Sequence, residues 1–239
     1  MVGTRGDSVV VGVRGRSRAV RGYDSLAPFY RAIETLVFGG GLQRARVALL
    51  DPLPSVERIL VLGDGDGRLL QALAERQRRA TIISIDQSDA MLARQRRRLN
   101  REVQSGRVRM IRGDVGELDQ VLGDESNFDL IVAAFLTDCF QRDELDRVWL
   151  HWLGRLRPGG TVYHVDFVMP PSGIRRWRAK LLSAIMHRFF AWQTGLESRE
   201  LVPRPTQMGP WRLRVLAEVT SRDGFVRSEW LAVDRQSGG

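Results

Sequence analysis

The sequence predicts an α/β protein built on a doubly wound, mostly parallel sheet that closes with a C-terminal antiparallel hairpin. Through the middle of the chain, short runs rich in Val and Ile alternate with stretches of helical period. Those runs are apolar at successive positions, the pattern of strands covered on both faces. A Gly-rich loop follows the first run and leads straight into a helical stretch, as at a tight strand-to-helix turn.

A chain of 239 residues, 43% of them hydrophobic, can bury one sizeable core. The expectation is one domain over residues 23–239, preceded by a flexible extension over 1–22. That extension holds five arginines, several glycines and no aromatic residue, too little apolar surface to repay ordering. No stretch approaches the roughly 18 apolar residues that span a bilayer, and no secretory segment is evident. A soluble, cytoplasmic protein is expected. The lone Cys139 excludes an internal disulfide framework, and His151, His164 and His187 are too scattered for a zinc site, so no metal is expected. The net charge is +9, but Lys180 is the one lysine and the arginines are spread along the chain. Such a distribution suits a solvated surface better than one phosphate-binding patch, and a nucleic-acid partner is not expected.

Residues 23–38 place Leu26, Phe29, Tyr30, Ile33, Leu36 and Val37 at helical spacing. Gly39, Gly40 and Gly41 end that helix, and a second, short one over 43–50 precedes Pro52 and Pro54. Strands are expected at 58–62, 81–85, 108–111, 128–134 and 161–167, with helices at 68–78, 88–102, 115–122 and 142–156 between them. This rhythm requires right-handed crossovers and a parallel sheet, with ligands at the carboxyl ends of the strands. A long helix over 174–192 follows. Strands at 212–221 and 225–232, joined by Asp223-Gly224, then form the terminal hairpin.

The first strand runs into Gly63-Asp64-Gly65-Asp66-Gly67. Glycines there let the backbone lie against a ligand, and the following helix presents free N–H groups to it. A nicotinamide-type fingerprint needs glycine where Arg68 stands, so GxGxxG fails while GxGxG is met. The segment 59–67, ILVLGDGDG, resembles motif I of the class I S-adenosylmethionine-dependent methyltransferases, which implies a seven-stranded Rossmann-like sheet and S-adenosylmethionine as cofactor, with S-adenosylhomocysteine as product. The family places an acid at the position of Val61, and Asp64 or Asp66 is the candidate replacement.

Asp86 ends the second strand about twenty residues past the loop, an offset suited to binding ribose hydroxyls. Ser88 suits the cap of the next helix, and Gln87 lies in reach of the adenine. By the resemblance, Gly113-Asp114-Val115 sets a carboxylate and an adjoining N–H against the adenine, although Asp114 fits a helix cap equally. Strand four continues into Ala134, Phe135 and Leu136, which would line the place where methyl donor and acceptor meet. Asp138 suits either orienting or deprotonating the acceptor, or capping the next helix. His164 and Asp166, two apart on one strand, share a face and are further acceptor-site candidates.

The turn 156–160, LRPGG, matches the family's Leu-x-Pro-Gly-Gly marker before strand five. Tyr23-Asp24-Ser25-Leu26-Ala27-Pro28-Phe29-Tyr30 resembles the lead-in of the ubiquinone and menaquinone biosynthesis branch, which implies that Tyr23 and Tyr30 close the pocket. The resemblance implies methyl transfer to a small-molecule acceptor. The arginine-flanked apolar stripe Ile174, Trp177, Leu181, Ile185 and Phe189 suits core packing, or peripheral membrane contact and a lipophilic acceptor. The alternatives are an S-adenosylmethionine-binding protein without turnover and an RNA methyltransferase.

Overall fold

The computed structural model of the chain describes residues 40–170, 172–173, 176–177 and 204–236. The expected N-terminal extension, the helix at 23–38 with Tyr23 and Tyr30, and most of the helix at 174–192 lie outside the described residues. Helix α1 (Gly41–Val47) leads to β1 (Arg58–Leu62), α2 (Arg68–Arg76), β2 (Thr81–Asp86), α3 (Asp89–Arg98), α4 (Asn100–Gln104) and β3 (Val108–Arg112). Then come α5 (Leu118–Leu122), β4 (Phe128–Ala134), a 3-10 turn (Thr137–Cys139), α6 (Arg142–Leu153) and β5 (Leu156–Phe167). The chain closes with β6 (Gln207–Met208), β7 (Trp211–Thr220) and β8 (Val226–Arg235).

These strands form one sheet in the order β3-β2-β1-β4-β5-β8-β7-β6. The pairs from β3 to β5 are parallel, whereas β5–β8, β8–β7 and β7–β6 are antiparallel. The strand order reverses between β1 and β4, and a crevice opens at the carboxyl ends there. The sheet has eight strands rather than seven. The additional β6 is two residues long, pairing Gln207 with Arg212 and Met208 with Trp211, and a strand that short carries no periodic signal.

Both faces are covered, which explains the uninterrupted apolar runs. Along β1, Ile59 and Val61 pack with Leu69, Leu70 and Leu73 of α2 and with Tyr163 and Val165 of β5. Leu60 and Leu62 pack on the other face with Ile131, Val162 and the Trp149–Trp152 pair of α6. Both indoles are fully buried with ring centroids 5.4 Å apart, and truncating either to Ala costs about 3–5 kcal/mol.

Element boundaries shift where a polar side chain takes over backbone groups. Helix α2 ends at Arg76 because Gln77, buried, turns back so that its Oε1 accepts from Val56 N and its Nε2 donates to Pro54 O. The expected helix at 88–102 breaks at Leu99, which is buried with ψ 35°. Helix α5 starts at Leu118 rather than at 115, since Asp114 Oδ1 accepts from Gly116 N and makes a turn first.

Candidate active site

The glycine loop is held from behind and open in front. Gly63, Gly65 and Gly67 all have positive φ, the left-handed region that disfavours side chains. A Cβ at Gly63 would lie 2.8 Å from Leu136 Cδ1, and one at Gly67 would lie 2.9 Å from Gln95 Cγ. A Cβ at Gly65 would meet nothing within 4 Å. That glycine lines open space at the switch point of the sheet. Gln95, fully buried, fixes the loop: its Nε2 donates to Gly65 O at 2.9 Å while its Oε1 accepts from Ser84 Oγ at 2.8 Å.

Asp86, at the end of β2, accepts from Gly65 N at 3.2 Å through Oδ2 and from Ser88 N at 2.9 Å through Oδ1. Ser88 is the N-cap of α3 and accepts from Met91 N, so cap and acid are different residues. Gln87 is half-buried beside them. Asp114 is half-buried after β3, and Val115 is buried with its carbonyl accepting from Trp152 Nε1 at 2.8 Å. The structure therefore brings Gly65, Asp86 and Asp114 to one edge of the sheet, on neighbouring strand ends.

Of the two candidate replacements for an acid at Val61, Asp66 is engaged. Its Oδ1 accepts from Arg68 Nε at 3.0 Å, and its Oδ2 lies 3.5 Å from an Arg98 amino group. Asp64 is buried and its Oδ2 accepts from Leu70 N at 2.8 Å, while Oδ1 has no hydrogen-bond partner. Burial pushes the Asp64 pKa up to about 7 against the opposing pull of Leu70 N–H and Arg46. Val61 itself is core, 1% exposed.

Strand β4 ends at the buried Ala134, and the chain turns sharply at Phe135, which has φ 54°. The Phe135 ring packs 4.9 Å from that of Phe167 and under the Arg46 guanidinium, also at 4.9 Å. Leu136 then covers Gly63, and Phe140 reaches the Asp114 turn, where a Cβ at Gly116 would lie 3.4 Å from its ring. The 3-10 turn thus bridges the glycine loop and the Asp114 turn, with Asp138, half-buried, between those two anchors.

Behind the turn lies a chain of ionic groups. Asp166 Oδ2 accepts from Thr137 N at 3.1 Å and from the Thr137 hydroxyl. His164 Nε2 lies 3.6 Å from Asp166 Oδ2, and Nδ1 lies 3.5 Å from Glu229 Oε2. Arg204 donates to both Glu229 oxygens, each at 2.8 Å. Burial alone would neutralise the imidazole, but Asp166 and Glu229 outweigh it and hold the His164 pKa above its ordinary value. Burial works likewise on Glu229, yet His164 and Arg204 hold it down at about 2. Asp138 goes the opposite way: burial, reinforced by the Asp166 charge, pushes it up to about 8. Thr137, Arg204 and Glu229 escape the sequence reading. Glu229 faces His164 only through the antiparallel register of β5 and β8, which no local pattern reveals.

The family model described as "Methyltransferase domain" matches residues 59–160, from β1 through the LRPGG turn. Residues 59–160 are thus similar to a methyltransferase domain. The fold, with its parallel strands and closing antiparallel strands, is shared with solved structures of methyltransferases. No curated protein matches the chain in sequence. Among solved structures, the chain is similar to the DhpI-SAH complex at 14% identity, TM-score 0.60, with 95% of this chain and 100% of that one covered. It is similar to an O-methyltransferase family 2 protein from Planctomyces limnophilus in complex with apigenin (13% identity, TM-score 0.59, 87% of this chain and 61% of that one). An O-methyltransferase family protein from Burkholderia thailandensis gives 16% identity and TM-score 0.56, with 91% and 59% covered. The chain thus spans about three fifths of the length of those two O-methyltransferase structures. Among the described residues, no helix is long and apolar enough to cross a membrane.

Proposed function

We propose that the chain transfers the methyl group of S-adenosylmethionine to a small-molecule acceptor. The observation that carries this reading is the open space over Gly65, framed by Asp86 on one strand end and Asp114 on the next, at the point where the sheet order reverses. Among the described residues, nothing lies within 4 Å of a Cβ built at Gly65, room that a nucleoside would use. Asp86 would hold the ribose hydroxyls, Asp114 and the Val115 N–H the adenine, and the unpartnered Asp64 Oδ1 the ammonium group, in place of an acid at Val61. Ala134, Phe135 and Leu136 would wall the methyl group.

The cofactor supplies an activated methyl on a sulfonium. The protein's part is to hold the acceptor in line with it and to exclude water, which lowers the barrier by several kcal/mol without an acid or base. Asp138 would meet the acceptor, with Asp166 and His164 as further candidates beside it. Neighbours of similar fold include O-methyltransferases and one complex with apigenin, which supports a small organic acceptor. Tyr23, Tyr30 and the 174–192 segment remain candidates for closing the pocket or for meeting a lipophilic acceptor at a membrane.

A thermal-shift series tests the cofactor assignment. S-adenosylmethionine and S-adenosylhomocysteine at 100 times their dissociation constants should each stabilise by about 2.7 kcal/mol, and NAD at matched concentration should not. A shift with NAD alone rejects the proposal.

A further inference from the structure

We propose that Arg94, Arg97 and Arg98 form a second binding site, beside the glycine loop, for the diphosphate group of a small anionic ligand. The inference does not rest on the methyltransferase reading, since none of the three arginines is assigned to the cofactor or the acceptor.

Arginines are spread along the sequence, but here the fold makes them converge. Positions 94, 97 and 98 are three and four apart on α3 and share one face of the helix, whereas Arg96 leaves it from another. The three side chains line a concavity of about 410 Å³, with Asp66 of the glycine loop as the remaining wall. All four lining residues are charged, so the space suits an ion and not an apolar group. Arg98 is anchored: its Nε donates to Asp66 O at 3.1 Å, one amino group donates to Gln71 Oε1 at 3.2 Å, and the other lies 3.5 Å from Asp66 Oδ2. The Asp66 charge is already shared with Arg68, whose Nε donates to Oδ1 at 3.0 Å, and so does not offset the remaining arginines. Arg94, half-buried, and Arg97, exposed, make no hydrogen bond or ion pair with any described residue.

Three guanidinium groups at this spacing repel one another, and no side chain opposite Arg94 and Arg97 relieves the repulsion. The helix dipole favours cations in the last turn of α3, but Arg96 serves it equally from another face, so the dipole does not explain why the other two of that turn gather with Arg94 around a concavity. An anion does. A guanidinium matches two N–H groups to two oxygens of one phosphate and keeps its charge at every pH at which the protein folds. Arg94 and Arg98 are about 6 Å apart along the helix axis, a span that lets two linked phosphates bridge neighbouring arginines. A nucleic-acid strand instead draws on many cations in a row. No such row continues here, because Arg96 points away and α3 itself ends at Arg98.

The test is calorimetric titration of the full chain with pyrophosphate at about 0.15 M salt, without divalent cations. Pyrophosphate should bind with a dissociation constant below about 1 mM, and inorganic phosphate about tenfold more weakly. The double variant Arg94→Gln/Arg97→Gln should lose roughly tenfold or more in pyrophosphate affinity, while Arg96→Gln/Arg101→Gln, which removes the same charge outside the concavity, should stay within about twofold of wild type. Saturating S-adenosylhomocysteine should leave the pyrophosphate affinity within about threefold, because the space over Gly65 is a different one. The inference is overturned if pyrophosphate fails to bind at that level, if the two double variants lose affinity alike, if S-adenosylhomocysteine displaces it, or if a single-stranded RNA oligomer binds where pyrophosphate does not. None of these outcomes touches the methyltransferase reading. If S-adenosylhomocysteine itself does not bind, that reading falls, and the comparison of the two double variants still decides this one.

Discussion

Replacing Gly65 and Gly67 by Ala separates ligand space from packing. At Gly67, φ is +84°, and a left-handed alanine costs about 1 kcal/mol. Its Cβ would also lie 2.9 Å from Gln95 Cγ and 3.2 Å from the Gln95 backbone, so Gln95 must move. Moving it gives up the bonds to Ser84 Oγ and Gly65 O, each about 1 kcal/mol, for a total near 3 kcal/mol. At Gly65, φ is +63° but nothing lies within 4 Å, so the cost is the backbone strain alone, about 1 kcal/mol. Thermal unfolding should fall by about 2–4 °C for Gly65→Ala and about three times as far for Gly67→Ala. Cofactor affinity should behave differently. The added methyl at Gly65 enters the space assigned to the nucleoside, and calorimetry with S-adenosylhomocysteine should show at least a 100-fold loss, about 2.7 kcal/mol. A Gly65→Ala protein that binds within about threefold of wild type would show that the space is solvent and not a slot.

Tyr163→Phe should cost about 1–3 kcal/mol in denaturant unfolding, because the hydroxyl both donates to Arg46 O at 2.9 Å and accepts from Leu49 N at 3.2 Å, and the buried N–H is left without a partner. Stability should fall as pH drops from about 4.5 toward 2, where the unfolded chain takes up the proton that folded Glu229, held at about 2, refuses; Glu229→Gln should flatten that limb of the melting curve. Asp64 has the opposite sign: its folded pKa of about 7 exceeds the unfolded value, so it erodes stability as pH rises from about 4 to 7, and Asp64→Asn should remove that part of the slope.

The parallel half of the fold was legible because β1, β2, β4 and the 161–167 stretch of β5 are buried almost throughout, whereas β3, at the edge, is buried only at Val108. The boundaries of β1 and β4 coincide with their apolar runs, and the Asp223-Gly224 turn brings β7 and β8 into a hairpin, with Ser221 N donating to Val226 O at 2.8 Å. Strand β5 begins at Leu156, five residues before its apolar run, because the Pro158-Gly159-Gly160 segment is absorbed into the strand through an irregular register against β4. Local sequence carries no signal for that. The same holds at the site. Gly65, Asp86 and Asp114 were legible because each sits at a fixed offset after a strand. Glu229 and Arg204 were not, since a glutamate inside the apolar run 225–232 acquires meaning only when β8 is laid antiparallel beside β5. Thr137 likewise becomes informative only once the turn folds it back onto Asp166.

A crystal structure of the full chain with S-adenosylhomocysteine tests the central assignment most directly. Density should place the nucleoside over Gly65, with its ribose hydroxyls within hydrogen-bond reach of the Asp86 carboxylate, its adenine beside Asp114 and its sulfur turned toward Asp138. Density for the ligand at any other edge of the sheet, with the space over Gly65 filled by solvent, would contradict it.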